Sequence, residues 1–181
     1  MTEARTAAIL LIAAAALFTV GGVLFTGRAI WKWPVGQTPI YLRWERGFVV
    51  AAIIVNVLGL VLLDDVLNQL EHSVFALVGI VLYFFGAVVV VVAEGLYLND
   101  RQWIYPQVIM YVVLAFLGQA AFGVALIQTG LVAEWIGWAT IIWNLGWLLG
   151  LALLRPRDVY FPVLHHAAPL MIGIAILLKG L

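Results

Sequence analysis

Residues 74–98, VFALVGIVLYFFGAVVVVVAEGLYL, decide the fold, because they form a long apolar run that holds a single charged side chain, Glu94. A helix that crosses a bilayer needs roughly 20 consecutive, mostly apolar residues. Five further stretches meet this requirement, at about 7–26, 47–63, 108–128, 131–154 and 160–178. The sequence therefore predicts an all-α polytopic membrane protein, with six transmembrane helices in one compact bundle that forms a single domain over residues 1–181.

The composition agrees with a membrane protein and excludes several other classes. Of the 181 residues, 66% are hydrophobic and 10% are charged, whereas soluble domains have about 25% charged residues. The formal net charge is zero and there is no basic patch, so we expect no nucleic-acid partner. The chain has no cysteine, no lysine inside an apolar stretch and no H-E-x-x-H sequence. We therefore expect no disulfide, no retinal Schiff base and no metal site, while the identity of any cofactor stays open.

The basic residues are distributed unevenly between the two sides of the predicted bundle. Seven of them lie in the connections after the first, third and fifth spans, and the other side carries Arg5 and Lys179. Cytoplasmic loops are the ones enriched in Arg and Lys, so we expect both termini on the extracytoplasmic side. The first apolar stretch is too long for a signal peptide, so we expect it to be retained as a span. The seven residues are Arg28, Lys32, Arg43, Arg46, Arg101, Arg155 and Arg157.

Polar side chains inside the spans are the most informative residues, because lipid offers them no hydrogen-bond partner. They lie in rows with small residues at helical spacing, which places them on faces that pack against other helices. The third span has the longest row, Gly79, Tyr83, Gly86, Val90, Glu94 and Tyr97. Shorter rows are Ala52, Asn56 and Gly59, then Ala115, Gln119 and Gly123, then Gly137, Thr140, Ile141 and Asn144.

Glu94, His165 and His166 are the candidate catalytic residues. All three lie about five residues from the predicted cytoplasmic ends of their spans. A carboxylate and an imidazole at one depth of an apolar interior are expected to pair, and such a pair can act as general acid and base. The alternative is a buried hydrogen-bond network that fixes the registry of the helices. Pro162 and Pro169 predict a kink beside the histidines.

Five further polar residues are candidates for ligand binding. Tyr83 and Tyr97 share the Glu94 face and would line the polar end of a pocket. Asn56, Gln119 and Asn144 lie near the predicted midplane, where hydrogen bonds between helices are the alternative interpretation.

An internal repeat would relate two of these midplane residues, Asn56 and Asn144, by symmetry. AAIIVN, from Ala51 in the second span, matches ATIIWN, from Ala139 in the fifth, including the intramembrane asparagine. Six spans would then consist of 3+3 inverted halves, as in several transporter folds. The fourth and fifth spans are joined only by Gln128, Thr129 and Gly130, which predicts a tight antiparallel hairpin.

Two stretches of the second half are similar to a known group of proteins. They are GLVAEWIGWATIIWNLGWLL, from Gly130, and DVYFPVLHHAAPLMIGIAILLKG, from Asp158. Both resemble the closing hairpin and the final helix of a family of small multi-pass inner-membrane proteins of bacteria that has no assigned function. The resemblance implies a helical bundle in the bacterial inner membrane, and it implies no reaction.

Three functions fit these observations. The first is binding of an apolar or amphipathic ligand (a lipid, quinone or isoprenoid) between helices, with acid–base chemistry if the protein is an enzyme. The second is an accessory subunit that packs on a membrane-protein partner or on a second copy, through the small residues Ala13–Ala16, Gly21 and Gly22 of the first span. The third is a small transporter with Asn56, Gln119 and Asn144 at its centre. Membrane lipids are expected partners in each case.

Overall fold

A computed structural model describes residues 2–36, 38–100, 104–154 and 161–180 of the chain. In these ranges the chain is helical, and five of its helices are long and apolar enough to cross a membrane. The elements are α1 (Glu3–Ala29), α2 (Pro39–Leu70), α3 (Val74–Asp100), α4 (Tyr105–Thr129), α5 (Glu134–Leu154), a 3₁₀ helix (Phe161–His166) and α6 (Ala167–Leu178). The prediction of an all-α, multi-pass architecture is confirmed.

The second helix begins eight residues earlier than the apolar run that predicted it, at Pro39 rather than at residue 47. Thr38 caps this helix, because its side chain accepts a hydrogen bond from the Tyr41 amide, and Pro39 supplies a preset first residue. Arg43 and Arg46, which we expected in a connection, therefore lie on the first two turns of α2. The predicted loop residues Arg101, Arg155 and Arg157 lie outside the described ranges.

The hairpin between α4 and α5 is as tight as predicted. The helix ends at Thr129, and Gly130 follows with φ of 61°, in the left-handed region that favours glycine at a helix C-terminus. α5 begins at Glu134. This short connection makes α4 and α5 antiparallel neighbours.

The helices form a ring in chain order. Each helix packs on the one before and the one after it, and α6 packs back on α1. The 3₁₀ helix contacts both α1 and α4, which are three positions apart in the ring. This short element therefore reaches into the middle of the bundle, between helices on opposite sides.

Two pairs of glycines set the closest helix contacts. A Cβ atom at Gly79 of α3 would lie 2.8 Å from the Gly118 carbonyl oxygen of α4, and one at Gly118 would lie 2.7 Å from that of Gly79. In the same way, a Cβ atom at Gly123 of α4 would lie 2.8 Å from the Gly137 carbonyl oxygen of α5, and one at Gly137 would lie 2.7 Å from that of Gly123. All the rows of small and polar residues predicted from the sequence face the interior, as expected from this type of packing.

Both ends of the described chain lie at one end of the bundle. Gln69, near the end of α2, donates to the Glu3 carboxylate at 2.8 Å, and Ser73 donates to Gln128 at 2.8 Å. The Lys179 ammonium donates to the Leu131 carbonyl oxygen at 2.7 Å. The described residues of the connection between α1 and α2, 30–36 and Thr38, lie at the opposite end, which we call the basic end.

The last predicted span differs from a regular transmembrane helix. Instead of one helix over residues 160–178, the chain forms a six-residue 3₁₀ helix and then the twelve-residue α6. Twelve helical residues extend about 18 Å, well short of the roughly 30 Å of a hydrocarbon core. The count of six spans is not confirmed, and the 3+3 arrangement stays a prediction.

The small-residue face of α1 is not available to a partner in the way we expected. Ala14 and Ala15 are 0% and 5% exposed, and a Cβ atom at Gly21 would lie 2.9 Å from the Val49 side chain of α2. These residues pack inside the bundle, because glycine and alanine let α2 approach closely. The expectation of a partner docked on this face was wrong for these three positions.

Candidate functional site

Five of the eight predicted site residues lie in or beside two separate buried clusters. Glu94 belongs to the first, which we call the charged cluster and which consists of Arg28, Glu45, Arg46 and Glu94, and Tyr97 lies beside it. Tyr83, His165 and His166 belong to the second, which also includes Tyr111 and Phe18 and which we call the histidine cluster. The expected pairing of Glu94 with a histidine was wrong, because the only hydrogen bond of Glu94 within the described residues goes to Arg46.

The charged cluster joins α1, α2 and α3. Arg28 makes two hydrogen bonds to Glu45, at 2.7 and 2.9 Å. Arg46 is 3.3 Å from the same carboxylate and donates to Glu94 Oε1 at 2.8 Å. The two guanidinium groups therefore balance the two carboxylates. A buried carboxylate is tolerated when it is paired in this way, so these ion pairs join the three helices, and Glu94 Oε2 is left without a hydrogen-bond partner among the described residues.

Tyr97 covers the charged cluster. Its ring centre lies 4.8 Å from the Arg46 guanidinium carbon, which is the geometry of a cation–π contact. Tyr97 is thus a neighbour of Glu94, as the shared helix face predicted. Its ring contacts Arg46, a cation of the protein itself.

The histidine cluster is held by neutral groups. His165 is completely buried, and its Nε2 atom is hydrogen-bonded to the hydroxyl groups of Tyr111 and, at 3.2 Å, Tyr83. The two hydroxyl groups are 3.2 Å from each other. The 3₁₀ helix supplies the imidazole, while α3 and α4 supply the phenols. This arrangement is a closed triangle of proton donors and acceptors in an apolar surrounding.

His166 is packed by aromatic rings. Its imidazole stacks on Phe18 of α1, with the ring centres 4.0 Å apart and the planes at 23°, and the His165 ring lies 4.1 Å away. The residue is 4% exposed. Neither ring nitrogen has a hydrogen-bond partner among the described residues. Both nitrogens of this buried imidazole are therefore unsatisfied by the described residues.

The three midplane amides are buried in the interior of the bundle. The Asn144 side chain donates to the Thr140 carbonyl oxygen of its own helix at 2.7 Å. The side-chain nitrogen and oxygen of Asn56 and Gln119 have no hydrogen-bond partner within the part of the chain that the structure describes. Their inward direction was predicted correctly. Asn56 interacts with the Tyr83 side chain of α3 without a hydrogen bond of ordinary geometry, whereas the expected hydrogen bonds from Gln119 and Asn144 to other helices are not formed among the described residues.

An apolar groove with a cationic edge runs along the outside of α1 and α2. This α1–α2 groove has a volume of about 560 Å³ and is lined by Leu17, Ile40, Arg43, Trp44, Gly47, Phe48 and Ala51. Arg43 is exposed and makes no hydrogen bond or ion pair with any described residue. A Cβ atom at Gly47 would meet no atom within 4 Å, so this glycine leaves the floor of the groove open.

A second groove, between α2 and α3, differs in chemistry. Its volume is about 360 Å³, and its lining is entirely apolar: Ile53, Ile54, Val57, Leu58, Phe84, Ala87, Val88, Val91 and Val92. Neither groove is lined by Glu94, His165 or His166. Neither groove is therefore the pocket beside Glu94 that the sequence predicted.

Sequence reasoning missed several members of the clusters, although a signal was present. Glu45, Val49, Ala52 and Asn56 continue one helical face back from the predicted row of the second span. Tyr111 likewise precedes the row of Ala115, Gln119 and Gly123 by one turn. Extending the first row across the assumed start of the span at residue 47, and the second row back by one turn within its span, would have placed these side chains in the interior.

Comparison with known proteins adds no assignment to this geometry. No protein-family model, curated protein or solved structure matches the chain. In addition, no three His, Asp or Glu side chains of the described ranges converge in a way that could hold a metal ion. The function must accordingly be argued from the clusters and the grooves themselves.

Proposed function

We propose that this membrane protein binds an anionic, amphipathic lipid in the α1–α2 groove. The observation that carries the proposal is a cation, Arg43, that has no partner among the described residues and lies at the edge of an otherwise apolar groove. The apolar lining suits an acyl or isoprenyl chain, and the guanidinium group suits a phosphate or carboxylate head group.

The surroundings of Arg43 support binding at the membrane surface. The neighbouring Trp44 is 61% exposed, and tryptophan is enriched where the hydrocarbon core meets the head groups. Both residues are on the first two turns of α2, at the basic end of the bundle. A lipid whose head group contacts Arg43 would thus extend its chain along Phe48 and Ala51 toward the middle of the bundle.

The contrast between Arg43 and Arg46 also supports the proposal. Both lie on the same turn of α2, yet Arg46 is paired with two carboxylates of the protein, and Arg43 has none within the described residues. The volume of the groove falls in the range of about 300–1,000 Å³ that is typical of small-molecule sites. A guanidinium group without a carboxylate partner among the described residues, at the edge of a groove of this size, is best explained by a ligand of opposite charge.

The proposal contains no acid–base reaction and no transport cycle. The carboxylate and the imidazoles that were candidates for joint catalysis lie in separate clusters, and Glu94 is held by Arg46. We place the protein in the bacterial inner membrane, as the resemblance of its second half implies. The basic end would then face the cytoplasm, in line with the positive-inside rule.

Native mass spectrometry of the purified protein tests the proposal directly. The protein is incubated with equal amounts of an anionic phospholipid and a zwitterionic phospholipid of the same chain length. We expect the wild type to retain one anionic lipid in preference to the zwitterionic one. Arg43→Gln should remove this preference, and Gly47→Leu should remove the bound lipid by filling the floor of the groove.

Gly95→Leu is the matched control for the groove-filling variant. Gly95 is an exposed glycine of α3 where an added Cβ atom would also meet nothing within 4 Å, and it lies outside both grooves. It should bind lipid as the wild type does. Equal retention of both lipids by the wild type, or unchanged binding by Arg43→Gln and Gly47→Leu, would contradict the proposal.

A further inference from the structure

We propose that Asn56 of α2, Gln119 of α4 and Asn144 of α5 bind a small group of water molecules inside the bundle. Together they have five side-chain polar atoms with no hydrogen-bond partner among the described residues: the nitrogen and the oxygen of Asn56 and of Gln119, and the oxygen of Asn144. The three residues are 0%, 1% and 0% exposed. The proposal is independent of the α1–α2 groove, which none of them lines.

Contacts of α1 with its two neighbours fix the depth of Asn56. A Cβ atom at Gly59 of α2 would lie 2.9 Å from the Leu11 side chain, and one at Gly173 of α6 would lie 3.4 Å from it. Gly59 and Gly173 are therefore at one level of the bundle. Both helices run away from the basic end, so Asn56, three residues before Gly59, is level with residue 170 of α6.

A ring contact fixes the depth of Gln119 relative to the same segment. The Phe116 ring of α4 lies edge-on to the His165 ring, with the ring centres 6.5 Å apart. Gln119 follows Phe116 by three residues, and α4 runs in the same direction as α6, so Gln119 is level with residue 168. The depths of Asn56 and Gln119 thus agree to within about one helical turn.

The close contact of α4 with α5 brings Asn144 to this level. Gly123 packs between Gly137 and Ile141 of α5, because its Cβ atom would meet the Gly137 carbonyl oxygen and the Ile141 side chain. The two helices are antiparallel, so Gln119 and Asn144 both lie about one turn from this contact, toward the basic end. The three amide side chains accordingly form one layer across the bundle, which we call the amide layer.

Small side chains beside the amide layer leave room for water. Ala52 precedes Asn56 by one turn, Ala115 precedes Gln119 by one turn, and both alanines are completely buried. None of the three amides lines the α1–α2 groove or the groove between α2 and α3. The layer is therefore enclosed, which is the setting of bound internal water and differs from an open aqueous path.

The chemistry of the layer matches water. An amide nitrogen donates and an amide oxygen accepts, so the five atoms are two donor groups and three acceptors. A water molecule does both and is held by two to four polar partners, so amides of different helices can share it. The amides carry no charge, which favours a neutral occupant over an ion. Without one, each of these buried atoms would keep its full desolvation cost.

Radiolytic hydroxyl labelling with mass spectrometry tests the proposal on the wild-type protein. A short X-ray pulse splits water into hydroxyl radicals, and a scavenger in the buffer removes those formed in bulk water. Water bound in the interior then oxidises the side chains beside it, although they are buried. The reporters are Tyr83, which interacts with Asn56, and Phe116, one turn from Gln119, and both are 0% exposed. We expect both reporters to be oxidised.

A variant with both Asn56→Leu and Gln119→Leu assigns the water to the amide layer. It replaces four of the five atoms by apolar groups of similar size. Because water is not retained among apolar side chains, the oxidation of Tyr83 and Phe116 should be lost.

Thr140→Val is the matched control for this variant. Thr140 is completely buried one turn from Asn144, but its hydroxyl group donates to the Ile136 carbonyl oxygen of its own helix at 2.8 Å. The substitution removes a buried polar group of almost the same size that needs no water. Both reporters should be oxidised as in the wild type.

Three results would overturn the proposal. The first is a wild-type protein in which neither reporter is oxidised, and it needs no variant to observe. The second is oxidation that persists when Asn56 and Gln119 are both leucine, since the water would then belong to other polar groups. The third is an equal loss in Thr140→Val, which would show that the labelling follows packing. If the variant with both changes does not fold, Gln119→Leu alone decides, through the oxidation of Phe116.

Discussion

The charged cluster and the histidine cluster satisfy buried polar groups in opposite ways. The charged cluster uses four formal charges that cancel, and each carboxylate is within 2.8 Å of a guanidinium nitrogen. The histidine cluster joins the His165 imidazole to two phenols by hydrogen bonds. The first is stable only while every member is present, whereas the second tolerates the loss of one hydrogen bond.

This difference follows from the cost of an unpaired charge in an apolar interior. Removing one partner of a buried ion pair leaves the other charge without compensation, which costs several kcal/mol. Removing one neutral hydrogen-bond partner leaves a polar atom unsatisfied, which costs about 1–3 kcal/mol. The two clusters should therefore respond very differently to single substitutions.

Arg46→Ala is expected to have the largest effect. It leaves Glu94 without its guanidinium partner and Glu45 with one partner fewer, so we expect the free energy of unfolding to fall by about 3–5 kcal/mol. Titration of the protein with SDS in mixed micelles measures this change. Adding Glu94→Gln to Arg46→Ala should recover part of the loss, because it removes the uncompensated charge.

Arg43→Ala is the control for Arg46→Ala on the same helix. Arg43 is exposed and unpaired among the described residues, so its removal should change the free energy of unfolding by less than about 0.5 kcal/mol. Similar losses for the two arginines would show that the charged cluster does not stabilise the bundle.

The fold was largely predictable, because membrane insertion leaves a strong signal in the sequence. Long apolar runs located five spanning helices, and the spacing of glycines identified the faces that pack. The last segment was misjudged because hydropathy does not distinguish a regular helix from a 3₁₀ helix that continues as α6. The start of α2 was misjudged because Arg43, Glu45 and Arg46 were assumed to require water.

The contents of the site were only partly predictable. The sequence showed that Glu94 points inward, since it shares a face with two glycines, and it placed the histidines at a similar depth. It could not show which side chain each one meets, because depth and rotation of separate helices depend on their packing. Glu94 meets Arg46 because the extended α2 brings a cation to it, and His165 meets Tyr111 because the 3₁₀ helix reaches α4.

His165→Leu is expected to have the second largest effect. It removes the hydrogen-bond partner that the Tyr83 and Tyr111 hydroxyl groups share, so we expect a loss of about 1–3 kcal/mol in the same SDS titration. His165→Gln should lose less, because an amide can still accept from a phenol. A loss for His165→Leu as large as that for Arg46→Ala would remove the distinction between the clusters.

Tyr111→Phe is expected to have a smaller effect. It removes one hydroxyl group and keeps the ring, and the Tyr83 hydroxyl can still bind His165, so we expect a loss of about 1 kcal/mol. Combining it with His165→Leu measures their coupling. Strictly additive losses would mean that the Tyr111–His165 hydrogen bond does not contribute to stability.

The smallest effect on the free energy of unfolding should come from replacing Tyr97, whose ring covers the charged cluster. Tyr97 offers its ring to Arg46, and a cation–π contact of a partly exposed ring contributes about 0.5–1 kcal/mol. Tyr97→Leu should lose this amount, while Tyr97→Phe, which keeps the π face, should lose little. The same pair of substitutions in an Arg46→Ala background should no longer differ, because the cation is gone. A difference that persists there would assign the role of Tyr97 to packing and separate it from the electrostatics of the charged cluster.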